Sequence, residues 1–222
     1  MIASHFPSAS PERKNGGVPR RAAGAPPQTG VGRKERTMGE VFLRRLSRWQ
    51  AEDQRGALAD LHEDAYRDQP GAVLRDREDF LQRFADHLQQ PEFDMVIASD
   101  PALVGCAYGF RIDRQGSWLD RFSTVPQELE ELTELTMSRQ LFLVAELMVR
   151  PSHRRRGVGG RLLDQLLSRV SAPVAVVLLE PGDAVGRATF ELWGWEKTGR
   201  MLPRGNPQQP VPLEAWTRRP GR

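Results

Sequence analysis

The chain holds a single cysteine, Cys106, in 222 residues, which excludes an intramolecular disulfide and makes a reducing compartment the easier setting. Histidine is scarce too. His5, His62, His87 and His153 show no metal-ligand spacing, so no metal site is expected. Lysine is almost missing: Lys14, Lys34 and Lys197 are the three lysines among 32 basic residues, and an arginine excess this general carries little meaning by itself. The longest apolar run, Ala172 to Leu179, falls well short of the ~20 residues of a membrane helix. No apolar stretch marks the N-terminus as a secretory signal, so the expected location is cytoplasmic, with no membrane partner. A Gly-Lys-Ser/Thr sequence is absent, which excludes a P-loop, and no internal repeat is visible.

What charge there is lies unevenly. Residues 1–37 carry a net +5 and residues 38–222 a net −2, which together make the formal +3. The first 37 residues are rich in Pro, Gly, Ala and Arg, lack any helical or strand period, and cannot bury enough apolar surface to offset their ordering entropy. They read as a disordered basic tail, with Met38 an alternative start. Such a tail can touch acidic surfaces electrostatically, but without aromatic stacking residues or a recognised module no specific nucleic-acid partner is expected.

From Val41 onward the patterns become regular. Val41 to Leu46 reads as a strand, Arg48 to Tyr66 as one helix, and Phe80, Leu81, Phe84 and Leu88 as one side of a second helix. Two strands, 93–99 and 102–112, flank a turn at Asp100 and Pro101. The polar stretch 113–139 follows, with part of 126–135 helical. Leu141 to Val149 is a fourth strand, Gly157 to Val170 an amphipathic helix, and Val174 to Glu180 a buried strand. Ala184 to Trp193 is a short helix, and 196–201 and 213–218 are last strands. The order implies a single mixed α/β (α+β) domain.

The stretch VRPSHRRRGVGGRLL, residues 149–163, joins the fourth strand to the amphipathic helix. A helix's first turn offers unpaired N–H groups and a positive dipole end. Glycines admit a ligand to the backbone and arginines add charge-assisted hydrogen bonds, so the stretch reads as a site for a pyrophosphate. A dinucleotide fingerprint would need a third glycine where Leu162 stands, although Glu180 sits where a ribose-binding acid would be.

Arg154, Gly157 and Gly159 instead form R-x-x-G-x-G. With the hydrophobic strand before it, Pro151 and the leucine-rich helix after it, this segment resembles the acetyl-CoA motif of the GNAT acyltransferase superfamily. Asp183 to Trp195 is similar to that superfamily's second signature, a helix ending at Gly-Phe or Gly-Trp. The resemblance covers residues 40 to 217. It implies a GNAT domain over 38–222, with a mostly antiparallel mixed sheet of six to seven strands, about four helices, and a splay between strands four and five. It also implies acetyl-CoA as co-substrate and a primary amine as acceptor.

Carried residue by residue, the resemblance puts the pyrophosphate on the amides of Arg155, Arg156, Gly157, Val158, Gly159 and Gly160, next to Arg154. The pantetheine arm would pair with Leu147, Met148 and Val149 as an added strand does, and the Leu147 amide would face the thioester carbonyl as an oxyanion donor. Glu146, on the face of Met148, is the candidate general base; equally, it is a carboxylate paired with Arg150. The position four residues before Gly194, where the family usually has a proton-donating tyrosine, is Phe190, which can only pack against the coenzyme. Tyr108 or water could then donate the proton.

Other readings stay open. Phe190 leaves room for a catalytically weak acyl-CoA sensor, and the basic stretch for a nucleotide-binding or nucleic-acid-binding protein. His153 reads as an exposed turn residue, Cys106, Trp193 and Trp195 as core. Segment 113–139, with six acids against three arginines, is either a solvated face or a lid that suits a cationic amine. A homodimer is a further expectation.

Overall fold

A computed structural model describes residues 40–67, 77–113, 121–127, 129, 131, 140–204 and 212–219 of the chain. The tail 1–37, Met38, and most of segment 113–139, including Glu128, Glu130 and Glu134, lie outside the described residues. Within that segment Gln127, Leu129 and Glu131 are helical.

Strand β1 (Phe42–Leu46) leads into α1 (Arg48–Asp53) through a capping box, in which Ser47 and Gln50 satisfy each other's backbone N–H groups. The helix expected to run from Arg48 to Tyr66 is two helices. Gln54, at φ −87° and ψ 1°, leaves helical geometry and separates α1 from α2 (Arg55–Tyr66). Helix α3 (Arg77–Leu88) buries Phe80, Phe84 and Leu88, while Leu81 is partly buried against the same core. Strands β2 (Asp94–Asp100) and β3 (Ala102–Asp113) form the hairpin expected around Pro101.

A short strand that the sequence reading missed, β4 (Phe122–Thr124), comes next, then β5 (Gln140–Val149). Helix α4 (Val158–Leu167), β6 (Val174–Leu179), α5 (Ala184–Leu192), β7 (Glu196–Pro203) and β8 (Leu213–Arg218) complete the described elements. The eight strands form one sheet in the order β1-β2-β3-β5-β6-β8-β7-β4, antiparallel except between β5 and β6. That architecture is a mixed α/β sheet with helices on both faces, with eight strands and about five helices among the described residues against the six to seven and about four expected.

Alternation along β5 divides the core in two. Leu141, Leu143 and Met148 pack with α1–α3 on one face. Phe142, Val144 and Leu147 pack on the other with Val158, Leu162, Leu163, Leu166 and Leu167 of α4 and with Phe190 of α5. Burying a leucine in such a layer is worth about 2–5 kcal/mol against alanine, so the five buried side chains of α4 hold its N-terminus firmly at the end of β5.

Candidate functional site

The site begins where two strands part. Strand β5 pairs with β6 only from Leu141↔Val174 to Val144↔Val177, yet it pairs with β3 as far as Gly105↔Val149. The last five residues of β5 therefore have a neighbour on one side and a gap on the other, the splay expected between the fourth and fifth long strands.

A bulge sits at the fork. Tyr108 faces Glu146 and Gly109 faces Val144, which leaves Ala145 as the extra residue in β5. Such an insertion shifts every later side chain to the opposite face. Without it Glu146 would follow Phe142 and Val144 into the α4 core; with it the carboxylate points toward α2. A Cβ on Gly109 would stand 2.3 Å from the Leu143 carbonyl oxygen, so the bulge needs glycine there.

Backbone direction beyond the bulge follows from one hydrogen bond. The Arg150 N–H donates to the Val104 carbonyl at 2.8 Å. Bonding direction alternates along an antiparallel strand, so Met148 also turns its backbone toward β3, while Leu147 and Val149 turn theirs into the gap. The Val149 carbonyl there already accepts from the Arg154 guanidinium, so the Leu147 groups and the Val149 N–H are what an added strand or a thioester oxygen would meet.

Glu146 is 2% exposed and accepts a 2.5 Å hydrogen bond from the Tyr66 hydroxyl. Arg150, the alternative partner, instead binds Asp64 of α2 and the Leu103 carbonyl. Around the carboxylate stand Cys106 and Tyr108 of β3. Burial and then the charge of Glu146 push both the thiol and the phenol well above their ordinary ranges, so both stay protonated. The Tyr108 hydroxyl lies 3.4 Å from His87 Nδ1.

At the end of β5 a 3₁₀ turn, Pro151–His153, leads through residues 154–157 into α4. His153 is tied to Ser152 and to Asp100 at 3.2 Å rather than exposed. Arg155 and Gly157 both have positive φ, 59° and 74°, and Gly157 is the N-cap of α4 with no side-chain cap. The N–H groups of Val158, Gly159 and Gly160 thus form the first turn of an uncapped helix head, beside the exposed Arg155 and Arg156. Arg154 is directed elsewhere: its guanidinium donates to the carbonyls of Val149 and Ala65, bracing the loop rather than facing solvent.

Phe190 is 1% exposed and packs edge-on against Trp193 and Trp195. Trp195 is core as expected; the Trp193 indole lies against Gly159 and Gly160 at the head of α4. A cleft of about 440 Å³ opens at the other end of β6, between Val174, Trp193 and Arg218, and no expected site residue lines it. Among the described residues no cluster of His, Cys, Asp and Glu is placed to hold a metal, and no helix is long and apolar enough to cross a membrane.

Two residues escaped the sequence reading. Tyr66 lies 80 positions from Glu146, and nothing in the spacing links them. The three consecutive residues at the end of α2, Asp64, Ala65 and Tyr66, each bind one residue of the β5–α4 segment: Arg150, Arg154 and Glu146. Gly109 carried the one available signal, a glycine inside a strand pattern.

Comparison with known proteins places the fold. The family model described as the Acetyltransferase (GNAT) family matches residues 57–180, more than half of the chain. Among solved structures, YncA of Salmonella typhimurium, a putative acetyltransferase with its cofactor acetyl-CoA, superposes with a TM-score of 0.52 at 14% identity, over 83% of this chain and 96% of its own. Arabidopsis thaliana NAA60 in complex with a bisubstrate analogue gives 0.56 at 11%, over 81% and 98%. At these identities the likeness is one of fold. A mycothiol acetyltransferase from Saccharopolyspora erythraea is 48% identical over 52 residues, a match that spans 23% of this chain and 16% of that protein.

Proposed function

Since the chain belongs to the GNAT acetyltransferase family, we propose that it transfers the acetyl group of acetyl-CoA to a primary amine by direct attack in a ternary complex. The observation that carries this reading is the gap beside the end of β5, which opens onto the uncapped head of α4 and has Glu146 at its fork. The amides of residues 155–160 would take the pyrophosphate, and Leu147 to Val149 the pantetheine arm. Arg155 and Arg156 are the side chains able to add charge-assisted bonds.

In this scheme Glu146 accepts the proton of the attacking amine, directly or through water, and the Leu147 N–H donates to the oxyanion that develops on the thioester carbonyl. The nitrogen–carbon bond forms, the carbon–sulfur bond breaks, and the thiolate leaves. A thiol with a pKa of about 8.5 is a tolerable leaving group near neutrality, so the absence of a hydroxyl at Phe190 does not stop the reaction. Water returns a proton to sulfur; Tyr108, buried with its hydroxyl beside His87 and its pKa pushed well up, is too weak an acid to do so.

A cationic amine is the acceptor class favoured by the acid-rich segment 113–139. The mycothiol acetyltransferase match is too short to carry its acceptor across. The experiment is thiol release from acetyl-CoA in the presence of polyamines, aminoglycosides, amino-terminal peptides and lysine peptides. Turnover with one class supports the reading, and replacing Glu130 and Glu131 by glutamine should then raise the KM of a cationic acceptor. Binding of acetyl-CoA without turnover of any amine would favour the sensor reading, to which Phe190 and the burial of Glu146 lend support.

A further inference from the structure

We propose that Tyr66 is a positioning residue for acetyl transfer: its hydroxyl holds the Glu146 carboxylate in the orientation from which it takes the amine's proton. The inference rests on the reading of Glu146 as the base and adds the group that makes a base usable in so buried a place.

A carboxylate removed from water is costly unless a donor compensates it. Tyr66, itself 4% exposed, supplies such a donor at 2.5 Å. Other titratable groups also pack around the site. Cys106 and Tyr108 on β3 stay protonated but lie on the neighbouring strand, with the Tyr108 hydroxyl near His87 of α3. Arg83 of α3 acts on Tyr108 from a distance, and His62 of α2 stacks on Phe80 and lies tilted against Tyr66.

Location strengthens the case. Tyr66 is the last residue of α2, and its two predecessors are bound to the coenzyme loop, Asp64 by the Arg150 guanidinium and Ala65 through its carbonyl by Arg154. The helix end, the loop that would hold pyrophosphate and the carboxylate are thus one braced unit. A shift of α2 relative to β5 would break all three bonds together. Arg154, the first residue of the R-x-x-G-x-G motif, serves this brace with its side chain, while the backbone after it leads into the head of α4.

The test is Tyr66→Phe, assayed with acetyl-CoA and the amine that releases thiol fastest in the panel above. Loss of a hydrogen bond to a charged group should lower kcat by about tenfold to a hundredfold, with the KM for acetyl-CoA unchanged. The acid limb of the pH–rate profile should move to higher pH by about one unit, because the carboxylate has lost a donor to its charged form. If the phenylalanine variant does not fold, a fluorinated tyrosine at position 66 keeps the shape and strengthens the donor, and should move the limb to lower pH. An unchanged rate and profile in these variants, with Glu146→Gln inactive, overturns the role of Tyr66 alone. Glu146→Gln at the full rate overturns the base reading and this proposal with it.

Discussion

Tyr108 faces Glu146 across β3 and β5, while the next residue, Gly109, faces Val144, and the skipped Ala145 is what turns the carboxylate toward α2. Gly109 permits this, since a Cβ there would come within 2.3 Å of the Leu143 carbonyl and 2.5 Å of the Phe142 ring. Backbone cannot yield as a flexible side chain does. Gly109→Ala should therefore lower stability by at least about 1–3 kcal/mol and cut acetyl transfer more than acetyl-CoA binding. Urea denaturation and steady-state kinetics on the variant read the two effects. An alanine at full stability would mean that the bulge does not depend on glycine.

Gly157 presents a different constraint. Its φ of 74° lies in the left-handed region, but nothing stands within 4 Å of where a Cβ would be. Gly157→Ala should cost about 1–2 kcal/mol through conformation alone, and Gly157→Asn less, because asparagine tolerates that region. Acetyl-CoA should bind the alanine variant more weakly. Thermal unfolding and calorimetry of the pair test the ordering.

Phe190 marks where the family usually keeps a proton donor. Its ring is enclosed by Trp193 and Trp195. Phe190→Tyr would bury a hydroxyl among apolar rings at a cost of about 1–3 kcal/mol, and kcat should not rise. A faster Phe190→Tyr enzyme would show instead that the site lacks an acid it can use.

Acid should weaken the fold through His87. Burial, aided by Arg83 and Arg121, lowers its pKa from 6.5 to about 3. Between those values the unfolded chain takes up a proton that the folded chain refuses. The contribution of His87 is therefore whole above pH 6.5 and falls as the pH drops toward 3. At pH 5 the loss is about 2 kcal/mol. Denaturation midpoints at pH 7 and pH 5 should differ by more in the parent protein than in His87→Gln, which cannot be protonated.

Periodicity and spacing made much of this legible. The hairpin at Pro101, the buried strand Val174–Leu179, the helix after Gly157 and the strand before it all stand where their patterns place them. Local signals stopped short elsewhere. The break at Gln54 has no proline or glycine at its own position, and a helical period continues across it. Strand β4 is three residues long and owes its existence to pairing with β7. At the site, the glycines identified the loop, because their spacing carries backbone geometry. The aim of side chains was hidden: Glu146 and Arg154 bind α2 residues 80 and 89 positions away, and the bulge that turns Glu146 there shows only in the pairing of β3 with β5.

Everything proposed for the site depends on the head of α4 gripping the diphosphate of an acyl carrier beside the open end of β5. Calorimetric titration of the purified protein with acetyl-CoA tests it most directly. Saturable one-to-one binding is expected, with a dissociation constant well below millimolar, weakened when S-acetylpantetheine, which lacks the diphosphate, replaces acetyl-CoA. No saturable heat from folded protein at millimolar acetyl-CoA would contradict it.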